Sequence, residues 1–150
     1  MLSIVVPIYN EESSIDEFLR RLKQAMETMD LSYEVVFVND GSSDRTAEII
    51  SKEMENNDTI RLVMFSRNFG HQIVVTAGLD FAQGDAVVVI DADLQDPPDL
   101  IPEMVEKWQD GYDVVDAVRR KRDHESWLMT ATRRIYYRLL NAIGDVDVPV

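Results

Sequence analysis

Ala86-Val87-Val88-Val89-Ile90-Asp91-Ala92-Asp93-Leu94-Gln95-Asp96-Pro97-Pro98 is the stretch whose reading decides the fold. Five apolar residues, four of them β-branched, run without interruption and stop at an aspartate. Such a run is too short for a globular helix and fits a strand buried on both faces of a parallel sheet. Pro97-Pro98-Asp99 then opens a helix, because proline is tolerated where the first helical N–H groups have no partner. The carboxylates between strand and helix therefore fall just past a strand's carboxyl end.

The same alternation recurs on both sides. Strands are expected over residues 2–6, 33–39, 60–65, 86–90 and 112–118, each short, rich in Val and Ile, and bounded by polar or turn-forming residues. Amphipathic helices lie between them. The first sets Ile15, Phe18, Leu19, Leu22 and Met26 on one face, with Ser14 and Glu17 spaced as a capping box. Others are expected over 43–54, over 71–82, from Pro97 to near Asp110-Gly111, and over 126–143. This order predicts an α/β fold with an open, doubly wound, mostly parallel sheet flanked by helices. Its ligand would sit beyond the strands' carboxyl ends. No repeat, low-complexity tract or Gly/Ser linker interrupts the 150 residues, so a single domain is expected.

Composition narrows the function. An apolar fraction of 45% and a charged fraction of 29% are those of an ordinary globular protein. With no cysteine, disulfides and thiolate metal sites are excluded, and a reducing compartment is suited. The start lacks the basic and long apolar regions of a secretory signal. No run approaches the roughly 20 apolar residues that cross a bilayer. A cytoplasmic protein is expected. A net charge of -13 argues against nucleic acid as a partner. Yet Arg119, Arg120, Lys121, Arg122, Arg133, Arg134 and Arg138 cluster against only Asp123 and Glu125. That local basic run suits an anionic ligand or membrane surface, or is simply a solvated face.

Four strand ends deliver polar loops to one edge. They begin at Pro7-Ile8-Tyr9-Asn10-Glu11, Asn39-Asp40-Gly41-Ser42, Ser66-Arg67-Asn68-Phe69-Gly70 and Asp91-Ala92-Asp93-Leu94-Gln95. Residues two apart in an extended chain project to one side, so Asp91, Asp93 and Gln95 can converge. Their hard oxygens suit Mg²⁺ or Mn²⁺ bridging a carboxylate to a diphosphate. A bare Asp-x-Asp is equally a turn with helix-capping aspartates; its company favours a site. Asp40 can accept from a ribose hydroxyl or a base N–H, or be a turn aspartate beside Gly41. Tyr9 can stack on a base or fill the core. Glu11 can accept from a base edge or complement a helix N-terminus. His71 and His124 lack companion ligands and read as surface or helix-end residues.

These four motifs resemble glycosyltransferase family 2. The segments Arg67-Asn68-Phe69-Gly70 and Leu94-Gln95-Asp96-Pro97-Pro98 narrow the likeness to the dolichyl-phosphate mannosyltransferase and polyprenyl-phosphate glucosyltransferase branch. The resemblance spans essentially the whole chain. It implies a GT-A, Rossmann-like fold in which Pro7, Tyr9, Glu11 and Asp40 hold the nucleotide. Asp91 and Asp93 would serve the sugar diphosphate and metal, with Gln95 as a further metal ligand. Arg119 and Arg133 would hold the phosphates of donor and acceptor. Asn39 stands where an aspartate is more usual beside Asp40.

The implied activity is inverting transfer of a sugar from a nucleoside-diphosphate sugar, UDP-glucose or GDP-mannose, to a polyprenyl phosphate at the cytoplasmic face of a membrane. Family sequences continue past this chain's end, so it is expected to be the N-terminal part of a longer protein. Transfer to a carbohydrate hydroxyl and a non-catalytic nucleotide-sugar-binding module remain the alternatives. The helix over 126–143, with a stripe through Trp127, Leu128, Ala131, Ile135, Leu139 and Ile143 and with Arg134 and Arg138 on its flank, can lie among lipid headgroups or pack on the sheet.

Overall fold

The computed structural model describes residues 1–117. Arg119, His124, Arg133 and the helix expected over 126–143 lie outside the described residues. The element order is β1 (Leu2–Ile8), α1 (Ile15–Glu27), β2 (Tyr33–Asn39), α2 (Thr46–Met54), β3 (Ile60–Met64), α3 (His71–Phe81) and β4 (Ala86–Val89). A single 3₁₀ turn, Pro98–Leu100, then leads into α4 (Ile101–Gln109). The four strands form one parallel sheet in the order β3-β2-β1-β4. The chain moves outward from β1 to β3 and then returns to the far side of β1. A crevice opens at that reversal, past the ends of β1 and β4.

Burial follows from which helices cover which face. On one face Leu2, Ile4, Val6 and Ile8 of β1 pack with Phe37 of β2, Phe18 of α1, Ile50 of α2 and Ile101 of α4. Phe18 and Phe37 meet edge to face at 6.3 Å, the favoured geometry for aromatic rings. On the other face, among the described residues, α3 covers Val5 of β1 and Val36 and Val38 of β2 through Val74. Helix and sheet come close there because residue 78 is glycine: a Cβ at Gly78 would fall 2.2 Å from Val5 Cγ1.

At the sheet's amino edge a buried carboxylate ties the α3–β4 connection to three strands. Glu34 Oε1 accepts from Ser3 Oγ at 2.6 Å and from the Gln83 amide at 2.7 Å, and Oε2 accepts from Arg61 Nη1 at 3.0 Å. Burial works against ionisation, but these three donors outweigh it and hold the Glu34 carboxyl below its ordinary value.

The first four expected strands form, with ends shifted by at most two residues, and three expectations need correction. The stretch expected as a fifth strand carries no strand over residues 112–117. The Gly111 and Tyr112 amides close α4 by donating to Trp108 and Lys107 carbonyls, and Tyr112 and Val114 stand exposed. β-Branched composition alone makes no strand without a ladder to join. Second, β4 is not buried on both faces: Val88 is buried, but Val87 and Val89 are 39% and 43% exposed, because α3 covers β1 and β2 rather than β4. Third, the Ser14–Glu17 capping box does not form. Ser14 Oγ donates to Glu11 instead, while Glu17 pairs with Arg20 and Arg21.

Candidate active site

Two loops at the carboxyl edge are laced together by their own side chains. Asn10 sits at φ 57°, a left-handed conformation that asparagine tolerates better than most residues. Its Oδ1 accepts the Ser43 amide at 2.9 Å, and its amide donates to Ser42 Oγ at 3.0 Å. The Glu11 amide donates to Thr46 Oγ1 at 2.8 Å, and the Glu12 and Arg45 amides donate to Asp44 and Glu12 carboxylates. Asp44 Oδ1 also accepts the Thr46 hydroxyl and amide, at 2.6 and 3.0 Å. That clasp delays α2 to Thr46, three residues later than the sequence pattern predicts.

Asp40 fixes a third loop. It is 4% exposed; Oδ1 accepts the Phe69 amide at 2.7 Å and Oδ2 the Gly70 amide at 3.0 Å. Gly41, at φ 73°, lets that loop come close, since a Cβ there would lie 2.6 Å from the Arg67 carbonyl carbon. Buried Asn39 completes the turn by accepting the Ser42 amide through Oδ1 at 2.9 Å. Asp40 thus holds the Asn68–Gly70 backbone, which the sequence did not reveal. Each carboxylate oxygen can accept more than one hydrogen bond, so capacity for a ligand remains.

Past the ends of β1 and β4 lies a cleft of about 270 Å³. Its walls include Pro7, Tyr9 and Glu11 from the first strand end, Asp40 from the second, and Asp91 and Asp93 from the fourth. Six expected site residues from three separate strand ends therefore border one space. Pro7 is buried within β1, whereas Tyr9 is 48% exposed and open to a ligand. Glu11 Oε2 accepts from Ser14 Oγ at 2.5 Å, which holds its side chain beside the α1 entrance. Asp91 is pushed above its ordinary carboxyl value by burial first; Asp93 and Asp96 push the same way, and His71 opposes them. Negative charge accumulates there unless a cation neutralises it.

Gln95 is exposed and does not border the cleft. β4 ends at Val89, Leu94 takes φ 62°, and the Gln95 amide folds back onto Asp93 Oδ1 at 2.9 Å. Asp91 and Asp93 meet the cleft from a turn, not from an extended run. Arg119 and Arg133 lie outside the described residues. Two polar cleft residues were not named as site residues from the sequence: Asn68, within a recognised strand-end loop, and His71, which lies at a helix end as expected, at the start of α3. His71 Nδ1 stands 3.9 Å from Asp91 Oδ1. The loop after the third strand was recognised as a strand end; only the Asp40 clamp shows that it reaches the cleft.

A parallel sheet with a reversal beside β1, and acidic loops around the resulting crevice, define a GT-A glycosyltransferase fold. The chain belongs to Glycosyl transferase family 2, whose profile matches residues 3–149. It is 54% identical over 148 residues to the uncharacterized glycosyltransferase YkcC of Bacillus subtilis, covering 99% of this chain and 46% of that protein. It is 42% identical over 147 residues to the bactoprenol glucosyl transferase of Shigella phage SfV, covering 98% of this chain and 48% of that one. The chain thus spans just under half the length of these relatives. Among solved structures, the mannosyltransferase PcManGT from Pyrobaculum calidifontis, in complex with GDP-Man and Mn²⁺, superposes with a TM-score of 0.66 at 29% identity. That match covers 81% of this chain and 36% of the other.

Proposed function

We propose that this chain is the donor-binding part of an inverting glycosyltransferase that moves a sugar from a nucleoside-diphosphate sugar to a polyprenyl phosphate. The observation that carries the proposal is the meeting of Asp40, Asp91 and Asp93 around one cleft that Tyr9 and Glu11 also border. The likeness to a bactoprenol glucosyl transferase supports the acceptor class. That to a mannosyltransferase holding GDP-Man supports the donor class, with UDP-glucose and GDP-mannose as candidates. In this reading Tyr9 stacks on the base, Pro7 shapes the floor beneath it, and Glu11 and Asp40 accept hydrogen bonds from the nucleoside.

The donor set fits a hard divalent cation. Asp91 and Asp93 offer two carboxylates on the cleft's border, and among the described residues no group of three or more His, Cys, Asp or Glu side chains is placed to hold a metal ion by itself. Such a partial shell suits Mg²⁺ or Mn²⁺, which take further ligands from substrate phosphates. Gln95, on the same turn, would have to swing its amide toward the cleft to join them. When bound, the cation supplies Lewis-acid stabilisation of charge on the departing diphosphate.

A phosphate oxygen of the acceptor forms a bond to the sugar's anomeric carbon while the bond from that carbon to the nucleoside diphosphate breaks. Attack from the opposite face inverts the centre. An ionised phosphate is already a nucleophile, so the protein's part is alignment and charge stabilisation rather than strong base catalysis. Arg119 and Arg133 serve it by binding phosphate oxygens through their planar forks. No helix of the described residues is long and apolar enough to cross a membrane. The proposed site of action is the cytoplasmic face of a membrane that carries the acceptor.

The test is a transfer assay on the full-length protein with UDP-glucose and GDP-mannose, offering polyprenyl phosphate or an oligosaccharide. Sugar appearing on polyprenyl phosphate with inverted anomeric configuration is the expected result. Transfer only to the oligosaccharide would refute the acceptor assignment.

A further inference from the structure

We infer that His71 is a positioning residue for the donor's diphosphate, donating a hydrogen bond to a phosphate oxygen from the start of α3. This inference rests on the proposal that the cleft takes a nucleoside-diphosphate sugar, and it deepens that proposal by assigning a residue to the anionic part of the ligand. Four of the cleft's bordering residues, Glu11, Asp40, Asp91 and Asp93, carry carboxyl groups. A diphosphate entering among them needs hydrogen-bond donors as well as a cation. His71 borders the cleft, and an imidazole offers at least one N–H donor whatever its protonation state.

The placement of His71 is built rather than incidental. It is the first residue of α3, immediately after the two amides that Asp40 clamps. Gly41 lets the preceding loop approach to a distance that any larger residue would prevent. The backbone of His71 is thereby fixed, and its exposed imidazole stands across from Asp91, with Nδ1 3.9 Å from Oδ1. That separation exceeds a hydrogen bond, so the His71 N–H groups are not committed to Asp91 as hydrogen-bond donors. One wall can then address a cation through Asp91 while the facing wall addresses an anion through His71. A cation-bridged diphosphate presents its cation and its phosphate oxygens side by side.

The experiment measures, by calorimetry on the full chain with Mn²⁺, binding of UDP and GDP and of the nucleosides uridine and guanosine. Wild type is compared with His71→Ala and His71→Gln at pH 8. The expected result is a loss of about tenfold or more in diphosphate affinity for His71→Ala, the scale of a hydrogen bond to a charged group. Nucleoside affinity should be unchanged, and the amide donor of His71→Gln should restore part of the loss. Unchanged diphosphate affinity in His71→Ala, with wild type binding tightly, would overturn the role of His71 alone. Equal losses for diphosphate and nucleoside would overturn it too, because they would mark a residue that supports the fold. Absence of diphosphate binding by wild type would overturn both this inference and the donor assignment.

Discussion

Asp40 shows how one side chain can build a site without being read as a builder. Its two oxygens accept the Phe69 and Gly70 amides, and its burial leaves water little access to replace it. Asp40→Ala is expected to lower stability by about 2–4 kcal/mol, since two charge-assisted hydrogen bonds disappear and two amides lose their partner. Urea unfolding measures this, and a loss under about 0.5 kcal/mol would contradict the clamp. The sequence marked Asp40 because an aspartate and a glycine follow a strand, but pattern carries no information on which distant amides a carboxylate meets. The same holds for Asn10, Thr46 and His71. Their partners lie 20 or more residues away, so only the assembled sheet brings them together. Asp91 and Asp93 were legible because they adjoin the strand that carries them. The convergence of Gln95 with Asp91 and Asp93 was expected from period-two projection, which holds only while the chain stays extended; Leu94 at φ 62° turns the chain instead.

At the scale of elements, legibility tracked periodicity. β1, β2 and α1 were readable because Ile4, Phe37 and Phe18 belong to apolar patterns whose burial the fold carries out. The expected fifth strand failed because pairing, not composition, makes a strand. The Glu34 network was invisible to pattern, as its donors come from β1, β3 and the α3–β4 connection. It makes a pH prediction. Glu34 in the folded chain titrates below the ordinary 4.5 that an unfolded chain would show. Its ionised form therefore contributes stability that is fully present above 4.5 and is lost as pH falls through the lower folded value. Glu34→Gln should accordingly be less stable than wild type by about 1–3 kcal/mol at pH 7, with the gap narrowing below pH 4.5. Denaturant melts across that range measure it; a gap independent of pH would contradict the account.

Across the whole molecule, one sheet separates two tasks. Its amino edge is closed by the Glu34 network and the Met1–Asp85 ion pair, while its carboxyl edge, among the described residues, carries an acidic cleft. Net charge of -13 would repel a diphosphate, so the cleft's chemistry must reverse that repulsion locally. A divalent cation at Asp91 and Asp93 does so in the proposed reading, with His71 assisting and with Arg119 and Arg133 holding phosphate groups of donor and acceptor. The family membership rests on the whole matched span, whereas the cation and donor rest on this cleft.

Thermal unfolding of the full chain with UDP-glucose and with GDP-mannose, each with and without Mn²⁺, tests the central claim most directly when repeated on Asp93→Ala. At ligand about 100-fold above its dissociation constant, binding adds about 2.7 kcal/mol, enough for a clear rise in Tm. The account predicts a rise with at least one sugar nucleotide that requires Mn²⁺ and vanishes in Asp93→Ala. An equal rise in wild type and Asp93→Ala, or no rise with either donor, would contradict it.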